Sequence, residues 1–208
     1  MNAIVELSYP FGGHWRVRNS PADRVPSHGT RLYASAYAID FVPVDERDIS
    51  ARMGFQAFMR PEAPDRFAGF GRPILSPVAG TVVSAHDGEE DHTAYRGIPS
   101  VGYALTQYRR AAFGWRALAG NHVLVESNGV VVALCHLRHG SVAVRPGMRI
   151  RRGEVLGLCG NSGNSTEPHV HVQAMDGADI ASAAPVQIVF SGRVPKSGEI
   201  VRAGRALA

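Results

Sequence analysis

The amino-acid sequence predicts an all-β fold, a sandwich or barrel of short antiparallel strands. Runs rich in Val, Leu and Ile recur along the chain, broken by turn residues at roughly the 8–12-residue spacing of such folds. The 23 Gly and 13 Pro are spread along the chain, as many short turns require. Apolar residues at helical spacing are hard to find.

Taken in chain order, ASAYAIDFVPV (34–44) reads as a strand. Residues 45–73 are polar with scattered aromatics (Phe55, Phe58, Phe67, Phe70) and read as a loop with a helical turn. SPVAGTVVSA (76–85) is a short strand entered through a turn at Gly80. The connection 86–119 carries Tyr95, Tyr103, Tyr108, Phe113 and Trp115, and TQYRRAAFGWRAL (106–118) within it reads as a short helix. Connections this long are uncommon in compact domains unless they serve a purpose, such as walling a cleft. A decorated surface loop with a small core of its own is the other reading. NHVLVESNGVVVALCHL (121–137) is a hairpin, because Asn128-Gly129 favours the left-handed pair of a type I′ turn. VRPGMRIRRGEVLGLCG (144–160) reads as turn, strand, turn, strand, and HVHVQAM (169–175) as a further strand. VQIVF (186–190) reads as the last strand, followed by a polar tail.

The 208 residues suffice for one compact core, so 1–208 is expected to form a single domain. Its core is expected over about 26–175, with 86–119 inserted and 176–208 as a C-terminal strand and tail. The net charge of +4 permits an anionic partner without demanding one. Of 22 basic residues only Lys196 is lysine, and the arginines form no block. Their largest cluster, Arg145, Arg149, Arg151 and Arg152, reads as a solvated strand edge rather than a nucleic-acid surface. Cys135 and Cys159 each lie in an apolar run and read as buried free thiols, not a disulfide framework. No stretch approaches the ~20 apolar residues of a membrane span. The start, MNAIVELSYPF, lacks a basic segment followed by an apolar one, so no signal peptide is expected and the sequence alone suggests the cytoplasm.

The chemistry is carried by STEPHVHVQA (165–174). On a strand, residues i and i+2 share a face, so His169 and His171 would enter one space while Val170 and Val172 face the other way. Such a pair also occurs on plain surfaces. His136 interrupts the buried-looking run VVVALCHL, and an imidazole there needs a partner, which could be no more than backbone. Asp40, between Ile39 and Phe41, is a carboxylate in an apolar strand and needs a cation, hydrogen bonds or a metal. His28 stands in a loop twelve positions earlier. His28, Asp40 and one histidine of the pair would make a His₂-carboxylate set with a free fourth position, as catalytic zinc sites have. The two remaining histidines would serve as general base and oxyanion stabiliser. Two unpaired cysteines cannot make a Cys₄ site. The loop GNSGNSTEP (160–168) is Gly-rich, but no Lys or helix follows to make a phosphate site. It reads as the turn that delivers His169 and His171.

His28 followed by YAIDF, then SPVAGTVVSAHDG, GNHVLVE, ALCHL and VRPGMRIRRGEVLGLCGNSGNSTEPHVHVQ resemble the lysostaphin-type (LytM-like) zinc metallopeptidases of bacterial cell-wall peptidoglycan. The likeness covers about 26–175, interrupted at 86–119. Its most specific part is G-x-S-G-x-S-x-x-P-H-x-H. The resemblance implies an antiparallel β-sandwich of the duplicated-hybrid-motif type. It implies Zn²⁺ on His28, Asp40 and His171, catalytic roles for His136 and His169, and a peptide or peptidoglycan substrate. The family is usually exported. It also usually spaces the first His and the Asp four residues apart, against twelve here, which leaves His14 as a substitute for His28. Glu167 stands where a Gly often precedes Pro-His. No H-E-x-x-H is present to supply a glutamate base.

Two other readings fit the same residues. Some relatives of this kind are inactive regulators or binding modules, although these generally lack the metal ligands. Histidine phosphotransfer domains of similar fold use two facing histidines, which His136 and His169 could imitate, but that chemistry needs no His₂-carboxylate set.

Overall fold

A computed structural model of the chain describes residues 4–52, 54 and 58–204, so Phe55 lies outside the described residues. Its strands are β1 (Ile4–Leu7), β2 (Gly13–Arg18), β3 (Ile39–Pro43), β4 (Pro73–Leu75), β5 (Gly80–His86) and β6 (Asn121–Ser127). They continue as β7 (Val130–Leu137), β8 (Arg149–Ile150), β9 (Val155–Leu158), β10 (Val170–Met175), β11 (Pro185–Phe190) and β12 (Ile200–Ala203). Three short helices, α1 (Ile98–Leu105), α2 (Gln107–Ala112) and α3 (Trp115–Ala119), fill the long 86–119 connection. Short 3₁₀ segments occupy Leu32–Tyr37 and Pro64–Arg66. Among the described residues no helix is long and apolar enough to cross a membrane.

The large sheet runs β12-β2-β3-β10-β7-β6-β5-β8 and is antiparallel throughout this path. One side of β10 is shared: its first half pairs with β3 and its end with β11, which carries β1 in parallel. A second, two-stranded sheet of β4 and β9 closes over the core, to which it gives Ile74 and Leu156. The β6–β7 turn has the expected left-handed pair, Asn128 (φ 52°) and Gly129 (φ 79°). Arg145, Arg149, Arg151 and Arg152 are exposed at the β8 edge.

Alternation sorts the central strands onto two faces. Val123, Val125, Val132, Leu134 and Val172 point into the main core. Leu124, Val131, Ala133, Cys135 and Met175 point to the other face, where Ala34 and Ala119 cover them. Both faces are apolar because both are covered, which is why these strands read as continuous hydrophobic runs. Cys135 and Cys159 are buried free thiols, and burial pushes both thiol pKa values up.

The core reaches beyond 26–175. Leu7, Phe11, Trp15 and Val17 at one end and Val186, Ile188, Phe190 and Val201 at the other are buried in it. Within GHWRVR the alternation of Trp15 and Val17 marks β2, but the surrounding Gly and Pro mask it. VQIVF is not the last strand: β12 follows in what reads as a polar tail and pairs with β2. Only Val201 of β12 is fully buried, so little hydrophobic pattern announces it.

An aromatic stack ties these termini together. Phe11 lies 4.3 Å from Trp15 and 5.0 Å from Phe41, and Tyr9 lies 4.8 Å from Phe190. Replacing Trp15 with Ala removes the largest fully buried side chain and its ring contacts. The substitution is expected to cost about 3–5 kcal/mol in chemical denaturation. A cost below about 1 kcal/mol would show that the terminal strands are not part of the cooperative core.

Candidate metal centre

The cleft lies on the second face of the large sheet and encloses about 570 Å³. Its floor is β3, β7 and β10. Register places His171 beside Asp40 on one side and beside Cys135 on the other. His171 therefore faces the cleft through ordinary strand alternation. His169 precedes β10 by one residue and also lines the cleft.

His136 enters by a different route. Continued alternation from Leu134 would turn it into the main core. The β6–β7 register instead slips between Asn121 and Val123, so that β7 carries an extra residue. His136 takes a left-handed φ of 64°, its ring lines the cleft, and Leu137 returns to the core. The bulge re-aims one side chain without disturbing the strand on either side.

Asp40 is 5% exposed and is the hub of the site. Its Oδ2 lies 3.0 Å from His28 Nε2, its Oδ1 lies 2.9 Å from His171 Nδ1, and Asn19 Nδ2 donates to Oδ2 at 2.7 Å. Burial alone would push the carboxyl pKa up, but His28, His169 and His171 outweigh it and hold it well below the usual carboxylate range. Burial pulls His171 down, yet the hydrogen bond and charge of Asp40 carry its pKa above the ordinary value.

Outer partners hold both of these histidines in orientation. Gln173 Nε2 donates to Tyr33 O at 2.8 Å, which leaves Gln173 Oε1 to accept from His171 Nε2 at 3.0 Å. The Ser27 hydroxyl lies 2.9 Å from His28 Nδ1 and 3.4 Å from Ser35 O. His28 Nε2 and His171 Nδ1 are thereby both turned toward the anionic carboxylate of Asp40. The three ligand atoms lie within 4.8 Å of one another, and the donor set of two imidazoles and one carboxylate suits zinc.

His28, not His14, is the histidine brought to Asp40. His14 pairs with Arg202 and lies four residues along β2 from Arg18, the register partner of Asp40, a separation of about 13 Å at strand rise. The twelve-residue gap is absorbed by the 3₁₀ segment, whose Tyr33 (φ 56°) and Ala34 (φ 59°) turn the chain back.

His136 and His169 are locked differently. His136 Nδ1 donates to Ser162 O at 2.9 Å, and His169 Nδ1 to Glu167 O at 2.8 Å. Carbonyl oxygens accept only, so each Nδ1 carries the proton and each Nε2 keeps a lone pair. The rings stand 4.6 Å apart, and His169 Nε2 lies 3.7 Å from Asp40 Oδ1. Burial first, then repulsion from His169 and His171, depresses the His136 pKa well below that of free imidazole.

The long connection forms one wall. Tyr103, Arg110, Trp115 and Leu118 line the cleft from α1, α2, α3 and their junctions. The wall is tied to the loop before His169. Asp91 Oδ1 accepts from Asn161 N at 2.6 Å, and Leu118 O accepts from Asn164 N at 2.9 Å. Gly163 (φ 72°) packs so closely on the wall that a Cβ there would stand 2.4 Å from Gly120 N. Asn19, Gln173 and Ser162 were not candidates from the sequence, since isolated polar residues in polar loops or next to a histidine carry no pattern of their own.

Residues 104–180 match Peptidase family M23. This stretch holds His136, His169 and His171 but not His28 or Asp40, which the fold supplies from outside it. The chain is 31% identical over 78 residues to the peptidoglycan DD-endopeptidase ShyA of Vibrio cholerae, across 38% of this chain and 18% of that protein. Among solved structures it is similar to the catalytic domain of the prophage-encoded M23 protein EnpA from Enterococcus faecalis (17% identity, TM-score 0.41, 72% of this chain and 73% of that one). It is also similar to the catalytic domain of lysostaphin from Staphylococcus simulans (18% identity, TM-score 0.40, 72% and 74%). The resemblance read from the motifs is thus borne out.

His122 sits under the wall, its ring 4.3 Å from Trp115 and its Nδ1 donating to Gly120 O at 2.7 Å. Burial lowers its pKa to about 4. The unfolded chain, with an ordinary value near ~6.5, takes up this proton first as pH falls. Stability is therefore full above about pH 6.5 and declines toward pH 4, with about 1–2 kcal/mol lost by pH 5 through this residue. Urea denaturation at pH 7 and pH 5 checks this. His122→Phe should flatten that part of the profile, and an unchanged slope would remove His122 as its cause.

Proposed function

We propose that the protein is a zinc-dependent endopeptidase acting on peptide bonds of peptidoglycan or a related peptide. One observation carries this reading: ligand atoms of two imidazoles and a buried carboxylate converge within 4.8 Å of one another, beside two further imidazoles whose Nδ1 atoms are pinned to backbone carbonyls. The match to a peptidase family and the likeness to a peptidoglycan endopeptidase support it. His28, Asp40 and His171 would hold the metal, through Nε2, a carboxylate oxygen and Nδ1. Zinc bound there supplies Lewis acidity, which polarises a carbonyl and acidifies water.

The remaining work belongs to the chain. His136 and His169 keep their orientation because each Nδ1 is pinned to a backbone carbonyl. One Nε2 accepts the proton of the attacking water as the new carbon–oxygen bond forms. Like charges at a ring separation of 4.6 Å repel, so only one of the two Nε2 atoms takes the proton in this step. The protonated ring then stabilises the oxyanion and delivers its proton to the leaving amine as the carbon–nitrogen bond breaks. Asp40, 3.7 Å from His169 Nε2, speaks against a phosphohistidine at this ring, since a transferred phosphoryl group would meet a carboxylate.

Metal analysis together with a peptidoglycan cleavage assay tests this reading. The wild type should contain one zinc and cleave. His169→Ala and His136→Ala should keep the zinc and lose about 10²–10⁴ in rate. Asp40→Ala should lose the zinc. Equal zinc in wild type and Asp40→Ala would overturn the ligand assignment, and zinc-replete protein without hydrolase activity would overturn the enzymatic one.

A further inference from the structure

Arg110 stands on the cleft wall without an acidic partner. Its guanidinium lies 3.7 Å over the Tyr103 ring centroid. Its Nε donates to Asn164 Oδ1 at 2.6 Å, and its terminal nitrogens donate to Thr106 Oγ1 at 2.9 Å and Tyr103 O at 2.5 Å. All of these acceptors are neutral. Among the described residues no carboxylate pairs with Arg110 or with Arg24, the other guanidinium lining the cleft. The one carboxylate lining it is Asp40, which is already engaged by Asn19, His28 and His171.

The charge of Arg110 is therefore held in place but not compensated. A guanidinium has five N–H donors, of which three are engaged here, so donors remain for a ligand. Trp115 and Leu118 line the same cleft, and apolar surroundings strengthen charge pairing. Asn164 belongs to the loop that leads to His169, which fixes the guanidinium relative to the histidines. A recognition group needs such a fixed offset, because specificity depends on placing the scissile bond while the anchor is held.

We infer that Arg110 is a specificity residue that binds a carboxylate of the substrate, so that the cleft selects anionic peptides over neutral ones. This rests on the reading of the cleft as a peptidase site. The planar fork of Arg matches a carboxylate with two parallel hydrogen bonds, which a lysine cannot reproduce. Arg24 is exposed at the mouth, where its Nε donates to Ser27 O at 3.1 Å, and it contributes attraction rather than a built contact.

Calorimetric binding of a cross-linked stem-peptide dimer, with its carboxylates free or amidated, tests the inference on the full chain with and without zinc. The wild type should bind the free-carboxylate dimer about 10–100-fold more tightly than the amidated one, the size of a charge-assisted hydrogen bond. Arg110→Gln should abolish this preference, with Arg110→Lys in between. Arg24→Gln should cost about 2–5-fold, an effect that fades at high salt. Equal affinity of the wild type for the two dimers overturns the inference without any variant, and so does an undiminished preference in Arg110→Gln. A wild type that shows the preference but cleaves neither dimer upholds the inference and overturns the peptidase reading.

Discussion

The buried carboxylate of Asp40 sets the terms for everything around it. An ion out of water costs several kcal/mol unless partners replace its hydration. Asn19, His28 and His171 supply that replacement, and each is itself held. Asn19 itself takes a left-handed φ of 45° just after β2, His28 is oriented by Ser27, and His171 is oriented by Gln173, which leans on the Tyr33 carbonyl. The strained turn at Tyr33 and Ala34 thus has a place in the site: it closes the twelve-residue gap and buttresses His171 from behind. Left-handed backbone at non-glycine residues costs about 1–3 kcal/mol each and persists where surrounding structure requires it.

The two covered faces of the large sheet divide the labour. One face is ordinary core, packed by branched side chains and closed by the small sheet. The other is a floor on which functional groups can stand, because the 3₁₀ segment and α3 keep water from most of it. The bulge in β7 lets one strand serve both, turning His136 to the floor while Leu134 and Leu137 stay in the core. Strands β3 and β10 position Asp40 and His171, a turn beside Ser27 positions His28, and a loop anchored by backbone hydrogen bonds positions His169.

Much of this could be read from residue types in context. His169 and His171 were legible because strand alternation has a period of two, and Asp40 and His136 because polar groups inside apolar runs demand partners. The hairpin was legible from Asn128-Gly129. His28 was harder, since its meeting with Asp40 depends on two left-handed residues that no composition rule anticipates. The bulge was invisible, because Cys135, His136 and Leu137 look alike in a strand covered on both sides. β12 escaped notice because pairing with β2, not its own hydrophobicity, makes it a strand. The helices of 98–119 were only partly apparent, since Pro99, Gly102 and Gly114 blur their periodicity. Long-range contacts decided each of these points, and such contacts leave little trace in a local window.

The backbone contact between Gly120 and Gly163 couples access to chemistry. Wall and loop meet there without intervening side chains, so a displacement of one bears directly on the other. The same loop holds the proton on His136 through the Ser162 carbonyl. Any displacement of this loop that carried Ser162 away would also free that imidazole to rotate. The order of His136 is thereby tied to the seating of the wall on the loop, one contact serving both.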